Sequence, residues 1–206
     1  MKQAVGIITQ GGGLPQLILD LGPADASFVV PAGRTVGSVE CIGGGWAGFV
    51  VEDFAYGGAG GGNRYAPAVS FTPGETIEAI VRDSIVGGTD SGAQPTYTGL
   101  KRSGAFFIRA RDAYGITPGD AGSGEGAGFS GGNAGNDTFG GGAGGRTGAA
   151  ANGDVGSGGA KGPGSAINGD GGTNVSPNGK NYGGGGMAGS GSGAPGRIRV
   201  TFPATT

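Results

Sequence analysis

Apolar and polar residues alternate without a break near the C-terminal end of the chain, in the order Arg197, Ile198, Arg199, Val200, Thr201 and Phe202. A period of two is typical of a strand that buries one face, so a strand is predicted over 197–202. Short runs rich in Val, Ile and Phe predict eight more, over Ala4–Thr9, Gln16–Leu21, Ser27–Val30, Val36–Ile42, Gly48–Phe54, Ala66–Phe71, Thr76–Arg82 and Ala105–Ala110.

Turn residues separate these predicted strands. In the stretches "PAGR" (31–34) and "TPGE" (72–75), proline presets φ and glycine supplies a positive φ. No 11-residue window has the apolar spacing of an amphipathic helix without a glycine or proline inside it. The pattern therefore predicts an all-β fold, specifically a small antiparallel β-sandwich.

Residues 115–196 are much richer in glycine, and the glycines often recur every third position. Three such runs are Gly142, Gly145 and Gly148; then Gly153, Gly156, Gly159 and Gly162; then Gly183, Gly186 and Gly189. The phase shifts between runs, which excludes the strict repeat of collagen. Extended helices of three residues per turn make no internal hydrogen bonds, so neighbouring helices must satisfy one another's backbone groups. We therefore expect short polyglycine-II-like helices packed side by side.

The strand over 197–202 explains how such a bundle is held. If this strand returns to the β-sandwich, the glycine-rich stretch becomes an insertion that is anchored at both ends. This gives a base of residues 26–114 plus 197–206 and a glycine-rich lobe of residues 115–196. Residues 1–25 are either strands that attach to another protein or two further strands of the base.

Composition limits the chemistry that the chain can perform. Glycine supplies 55 of the 206 residues, about a quarter, against a usual share of about 7%. There is no histidine, and Cys41 is the single cysteine, which removes histidine-based catalysis, histidine zinc sites and an intrachain disulfide. The net charge of −2 without a basic run argues against nucleic-acid binding. No apolar run is long enough to insert into a membrane as a helix.

No cofactor, metal or catalytic site is predicted. The stretch "GGNAGNDTF" (131–139) is close to a calcium-binding repeat but occurs once and has one extra residue. Glu125, Asp154 and Asp170 lie among glycines with nothing in the sequence that pairs them. We expect a protein that is not an enzyme.

Three stretches resemble, in order, the glycine-rich domain family of bacteriophage tail-fibre and related virion proteins. These are "SFVVPAGRTVGSVECIGGGWAG" (27–48), "YAPAVSFTPGETIEAIVRD" (65–83) and "GAPGRIRVTF" (193–202). The resemblance covers about residues 26–203 and implies a small β-domain with a glycine-rich insertion. Related polyglycine-II adhesins lie at the tips of tail fibres, where loops between glycine helices contact the host surface.

The resemblance implies a virion structural protein, of a tail fibre or tail tip, that contacts a bacterial surface receptor. Its partners would be other tail or capsid proteins. It would act on the virion surface after assembly in the host cytoplasm, in several copies per particle, with a homotrimer as one arrangement. Two alternatives stay open, a head fibre or capsid-decoration protein and a polyglycine-II ice-binding protein.

Bulky residues among the glycines are the candidates for receptor contact, since aromatic and Arg side chains dominate binding surfaces. In the lobe they are Phe129, Phe139, Arg146, Lys161, Tyr182 and Met187, and a second glycine-rich loop adds Trp46 and Tyr56. The alternative for each is that it seals the glycine bundle against the β-domain.

Overall fold

The computed structural model describes residues 13–87, 97–134, 140–153, 158–165, 167–173 and 176–205. The elements of these residues are all strands: β1 Leu17–Leu21, β2 Ser27–Val29, β3 Val36–Ile42, β4 Phe49–Val51, β5 Phe54–Tyr56, β6 Asn63–Ser70, β7 Thr76–Ile80, β8 Tyr97–Arg102, β9 Ala105–Arg111, β10 Ser123–Gly124, β11 Ala127–Phe129 and β12 Arg197–Phe202. The predicted strand Ala4–Thr9 lies outside the described residues.

The strands form two five-stranded sheets and one separate hairpin, and every pairing is antiparallel. The first sheet has the order β1-β12-β3-β6-β11, the second has the order β10-β9-β8-β7-β2, and β4 pairs with β5. Both sheets supply side chains to one apolar cluster, including Val39 and Val200 from the first and Ile77, Leu100 and Ile108 from the second. The all-β prediction is therefore confirmed.

Strand β12 has the buried apolar face that its alternating sequence predicts. Its apolar residues Ile198, Val200 and Phe202 are fully buried in the apolar cluster. It pairs with β1 on one side and β3 on the other, so that Val200 lies between Leu19 and Val39. The chain thus returns from the glycine-rich stretch to an interior position of a sheet.

One predicted strand is a hairpin in the structure, and one observed strand lies outside the predicted runs. The run 48–54 is not one strand but a hairpin, because Glu52 adopts a φ of 54° and Val51 pairs with Phe54 across a two-residue turn. Strand β8 was not predicted, since glycine and charged residues are uncommon in strands. Its Gly99 is required: a Cβ there would lie 2.6 Å from the Cβ of Arg109.

Backbone hydrogen bonds cross the predicted boundary between base and lobe. Strand β10 pairs with β9, and β11 pairs with β6, although both short strands belong to the predicted lobe. Conversely, buried segments of the predicted base bond to the glycine-rich stretch. We call the resulting assembly the glycine array, and its main segments are residues 43–48, 57–62, 140–145, 169–172 and 183–186.

The hydrogen bonds of the glycine array repeat every three residues. The N–H of Gly58 donates to the carbonyl of Gly186 (2.8 Å), and the N–H of Gly61, three residues on, donates to the carbonyl of Gly183 (2.8 Å). The two residues between them donate elsewhere, Ala59 to Gly115 and Gly60 to Gly132. Each segment therefore faces several neighbours, and it returns to the same neighbour after three residues.

A second segment shows the same repeat with two different neighbours. The amides of Gly141 and Gly144 donate to Gly58 and Gly61, at 3.0 and 2.9 Å. The amides of Gly140 and Ala143 donate instead to Gly172 (3.2 Å) and Gly169 (2.9 Å). The first pair of segments runs parallel and the second antiparallel. Side chains have no room at many of these contacts. Most bonding partners are main-chain atoms, although the Gly44 amide donates to the Asp112 carboxylate (2.7 Å).

Asn168 stabilises the array with its side chain. The residue is buried, and its Nδ2 group donates to the carbonyl oxygens of Ala143 (3.3 Å), Gly144 (3.0 Å) and Gly162 (2.8 Å). One side-chain amide thus joins two backbone segments, at 143–144 and at Gly162, whose residues have no polar side chains. It is the kind of buried polar group whose loss leaves acceptors unsatisfied.

We predict that Asn168→Ala lowers the free energy of unfolding by about 2 kcal/mol, because the carbonyl oxygens of Gly144 and Gly162 lose their donor, while that of Ala143 keeps the Gly162 amide. Asn168→Asp should cost more, since a carboxylate at this place faces three carbonyl oxygens and has no partner for its charge. Urea denaturation of the two variants measures both losses. An Asp variant as stable as the wild type would contradict the role of Nδ2 as donor.

Cys41 lies in the apolar cluster with no exposed surface. Burial raises the pKa of its thiol well above the usual range, and the adjacent Glu40 carboxylate raises it further. Since the thiolate is the reactive form, we predict that Cys41 does not react with Ellman's reagent in the folded protein and reacts at once in denaturant. Rapid labelling of the native protein would contradict this burial.

Among the residues that the structure describes, no helix is long and apolar enough to cross a membrane.

Candidate functional site

Arg146, a predicted contact residue, is bound inside the molecule. Its Nη2 lies 2.5 Å from the Oε2 of Glu40, whose side chain is 1% exposed. Its guanidinium group also lies over the ring of Tyr65, 4.3 Å from the centroid. Glu40 receives a second hydrogen bond from the Nδ2 of Asn63 (2.8 Å). Arg146 thus joins the glycine-rich lobe to β3 and β6, as the sealing alternative expects.

Tyr182 has a similar place. It packs against a small buried cluster of Ile42, Ala143 and Ile167, so it covers the end of β3. The guanidinium group of Arg197, at the start of β12, lies 4.8 Å from its ring centroid. Most of this side chain is therefore engaged at the junction between the sheet and the glycine array.

Trp46 is buried, with 1% of its surface exposed, so it has no surface for a partner. Its ring packs against the ring of Tyr114, with 4.9 Å between the centroids. The guanidinium carbon of Arg82 lies 4.7 Å from the Trp46 ring centroid. Burial lowers the pKa of Arg82, while the Asp112 carboxylate acts in the opposite direction. The expectation that Trp46 contacts a receptor is corrected. Its buried side chain packs beneath Tyr114 instead.

Two other predicted contact residues lie on different segments of the described chain, and a third is not among the described residues. Phe129 is half-buried in β11, opposite Asn63. Lys161 is exposed, and its backbone amide donates to the Asp170 carboxylate (3.0 Å). Phe139 lies outside the described residues.

Tyr56 and Met187 are both partly exposed beside the β4–β5 hairpin. Tyr56 stacks on Phe49, with ring centroids 5.3 Å apart and planes 12° from parallel. The backbone of Met187 lies next to Gly48, the residue before β4. A Cβ on Gly48 would lie 1.7 Å from the Met187 carbonyl oxygen. The structure therefore brings these two predicted residues together.

A set of exposed apolar side chains continues from Tyr56 along the hairpin. Val51 and Phe54, which pair with each other across the hairpin, are 44% and 51% exposed. The loop beside them adds Tyr114 and Ile116, which are similarly exposed. We call these residues the hairpin surface: Val51, Phe54, Tyr56, Tyr114 and Ile116. Val50 pairs with Ala55 and lies on the opposite face of the hairpin, next to Gly189.

One contact joins the 114–116 loop to the hairpin, and another joins the loop to Trp46, which precedes the hairpin. The ring of Phe49 reaches Gly115, where a Cβ would lie 3.8 Å from its Cζ, and Tyr114 packs on Trp46. Beneath them lies a buried apolar cluster of Trp46, Ala47, Ala59, Ile85 and Ala113, against which Phe49 packs. Since Trp46 and Ala59 also belong to the glycine array, the hairpin surface has a fixed support.

Sequence reasoning found only Tyr56 of the hairpin surface. The stretch "FVVEDF" (49–54) has a polar pair between apolar residues but lacks the glycine or asparagine that marks a two-residue hairpin turn, so the signal is weak. The hairpin surface offers aromatic and branched apolar side chains for contact. The acidic residues Glu52 and Asp53 form the turn at its end. Such a surface binds by burying apolar area.

No protein-family model matches the sequence, and no curated protein matches it either.

Proposed function

We propose that the chain is a non-enzymatic bacteriophage virion structural protein, a component of a tail fibre or tail tip, and that its hairpin surface contacts a bacterial surface receptor. In this proposal a β-sandwich forms the base and a lobe of polyglycine-II helices stands on it. The resemblance of residues 26–203 to glycine-rich virion domains supplies the virion context.

The three-residue repeat of hydrogen bonds supports the polyglycine-II part. A polyglycine-II helix has three residues per turn and no internal hydrogen bonds, so every third amide points to the same neighbour. Gly58 and Gly61 behave in this way toward the 183–186 segment, and Gly141 and Gly144 toward the 58–61 segment. The apolar cluster shared by the two five-stranded sheets supports the sandwich part.

The exposed apolar side chains of the hairpin surface carry the receptor part of the proposal. Soluble proteins rarely expose contiguous apolar patches unless the patch meets a partner, and aromatic residues are over-represented among the side chains that dominate binding. Here the side chains stand on a two-residue turn and a short loop above a buried tryptophan. This arrangement keeps the surface ordered before binding, which reduces the entropy cost of association.

The test is adsorption of virions that carry the variant Val51→Ser with Phe54→Ser, two exposed residues that pair on one face of the hairpin. We expect the adsorption rate to fall at least about tenfold, because two exposed apolar contacts are worth about 1.4 kcal/mol or more together. The matched control is Val29→Ser, which changes an exposed strand valine of β2. Unchanged adsorption of the double variant, with the protein folded and incorporated, would contradict the proposal.

An edge strand favours a second candidate, a head fibre or capsid-decoration protein. Among the described residues β1 pairs only with β12 and leaves its other edge open, and Leu14 and Ile18 beside that edge are exposed. Open edges can take up a strand of a partner. Immunogold labelling of intact virions separates the two: label at the tail tip supports receptor contact, and label over the head supports decoration.

A further inference from the structure

A pocket of about 190 Å³ lies on the outer face of the first sheet, at the opposite end of β3 from the glycine array. It is distinct from the hairpin surface and shares no residue with it. The lining side chains that matter are Gln16, Ser38, Tyr65, Pro67, Thr201 and Pro203. Drug-sized ligands occupy about 300–1,000 Å³, so this pocket fits a smaller molecule.

The polar groups of the pocket have no side-chain hydrogen-bond partner among the described residues. Ser38 and Thr201 lie directly opposite each other on β3 and β12, and both are half-exposed. Within the part of the chain that the structure describes, neither hydroxyl makes a hydrogen bond to another residue, and the same holds for the Gln16 amide and the Tyr65 hydroxyl. Four groups that can both donate and accept thus converge on one small volume.

The walls that carry these groups are held in place. Arg34 is buried and donates to two carbonyl oxygens beside the pocket. One belongs to Pro15, which precedes Gln16, and the other belongs to the lining residue Pro203 (2.6 Å). Tyr65 is held on one ring face by the Arg146 guanidinium group. Both sides of the pocket are therefore ordered without a ligand, which lowers the entropy cost of binding one.

The pocket presents no exposed charge of its own. No lining residue is charged. On the neighbouring register row, Arg199 donates to both carboxylate oxygens of Asp20 (2.7 and 2.9 Å), and Glu40 is paired with Arg146. The Arg34 guanidinium group behind the wall is buried and bonded to two carbonyl oxygens. Hydroxyl groups of a ligand would meet four unpaired partners, whereas an ionic ligand would meet no exposed opposite charge among the lining residues.

We propose that this pocket binds a neutral saccharide unit. The hydroxyls of one sugar ring would pair with Ser38, Thr201 and Gln16, and its C–H face would pack on Tyr65 and the two prolines. Amphipathic rings that combine an apolar face with polar edges suit a site of this composition. The proposal goes beyond receptor contact by the hairpin surface and does not depend on it.

The experiment titrates the full chain, labelled with ¹⁵N, with glucose, galactose, mannose and N-acetylglucosamine, and with glucuronate as the anionic counterpart of glucose. We expect at least one neutral sugar to shift the backbone amides around residues 38 and 201. In the double variant Ser38→Ala with Thr201→Val, the dissociation constant should rise at least about tenfold, since two hydrogen bonds are lost. The control Thr76→Val makes the same change on an exposed position of β7 and should leave it unchanged.

Three results would overturn the proposal. The first is no shift with any neutral sugar up to about 50 mM, well above a millimolar dissociation constant. The second is binding that the Ser38→Ala, Thr201→Val variant leaves intact. The third is glucuronate binding at least about tenfold tighter than glucose, which would mean that the pocket selects a charge. None of these results bears on the hairpin surface, whose own variants test it separately.

Discussion

The variant Gly185→Ala should lose at least about 3 kcal/mol of its free energy of unfolding, because its Cβ would lie 1.9 Å from the Gly58 carbonyl oxygen. That oxygen accepts from Gly141, whose own carbonyl accepts from Gly185 (2.9 Å). The Gly185 carbonyl in turn accepts from Gly172 (2.8 Å). One methyl group therefore displaces several buried hydrogen bonds at the centre of the glycine array.

The matched control is Gly104→Ala in the β8–β9 turn. A Cβ at Gly104 has nothing within 4 Å, although its φ is +81°. This variant should cost only the strain of a left-handed alanine, about 1–2 kcal/mol. Chemical denaturation of both variants makes the comparison. Equal losses would mean that the glycine array tolerates side chains, against the close backbone packing described above.

Arg146→Met should cost about 3–5 kcal/mol, because it leaves the Glu40 carboxylate buried without its cation. The Asn63 amide would remain as the neutral donor to that carboxylate. Combining Arg146→Met with Glu40→Gln removes the buried charge as well, so the double variant should be more stable than Arg146→Met alone. Urea denaturation of the wild type, Arg146→Met, Glu40→Gln and the double variant gives the four corners of a double-mutant cycle that isolates the pair.

Arg64→Met is the control, because it also removes an arginine. The Arg64 guanidinium group donates to the backbone carbonyls of residues 124–126 and not to a buried carboxylate. It should cost clearly less than Arg146→Met. If the two single variants lose the same stability, or if the double variant is no better than Arg146→Met, the buried pair does not join lobe and base as described.

The sequence predicted the strands whose alternation is complete. The bounds of β3 and β12 agree with the structure, and the turn at 72–75 forms with a 3.0 Å hydrogen bond from Glu75 to Thr72 and a φ of 84° at Gly74. These features depend on local rules, period two and proline–glycine turn chemistry, that a single sequence displays. The hairpin at 49–56 was missed because a run of apolar residues does not show where a polar pair reverses the chain.

The candidate site was less predictable because its parts meet over long sequence distances. Glu40 and Arg146 are 106 residues apart, and no local pattern pairs them. Trp46 stands among glycines in the sequence, a setting that suggested exposure. It is buried because Tyr114, Arg82 and an apolar cluster that includes Ile85 pack against its side chain. Which bulky residue faces outward is thus decided by the packing of the glycine array, which sequence spacing predicts only as a repeat of three.

Amide hydrogen exchange at single-residue resolution tests most directly that the glycine-rich stretch is an ordered, backbone-bonded array. The amides of Gly58, Gly141, Gly172 and Gly185 should exchange as slowly as those of β3 and β12, since all donate to buried carbonyls. The exposed Gly33 and Gly164 should exchange quickly and serve as internal references. Exchange of the four array amides at the rate of the two references would contradict the account.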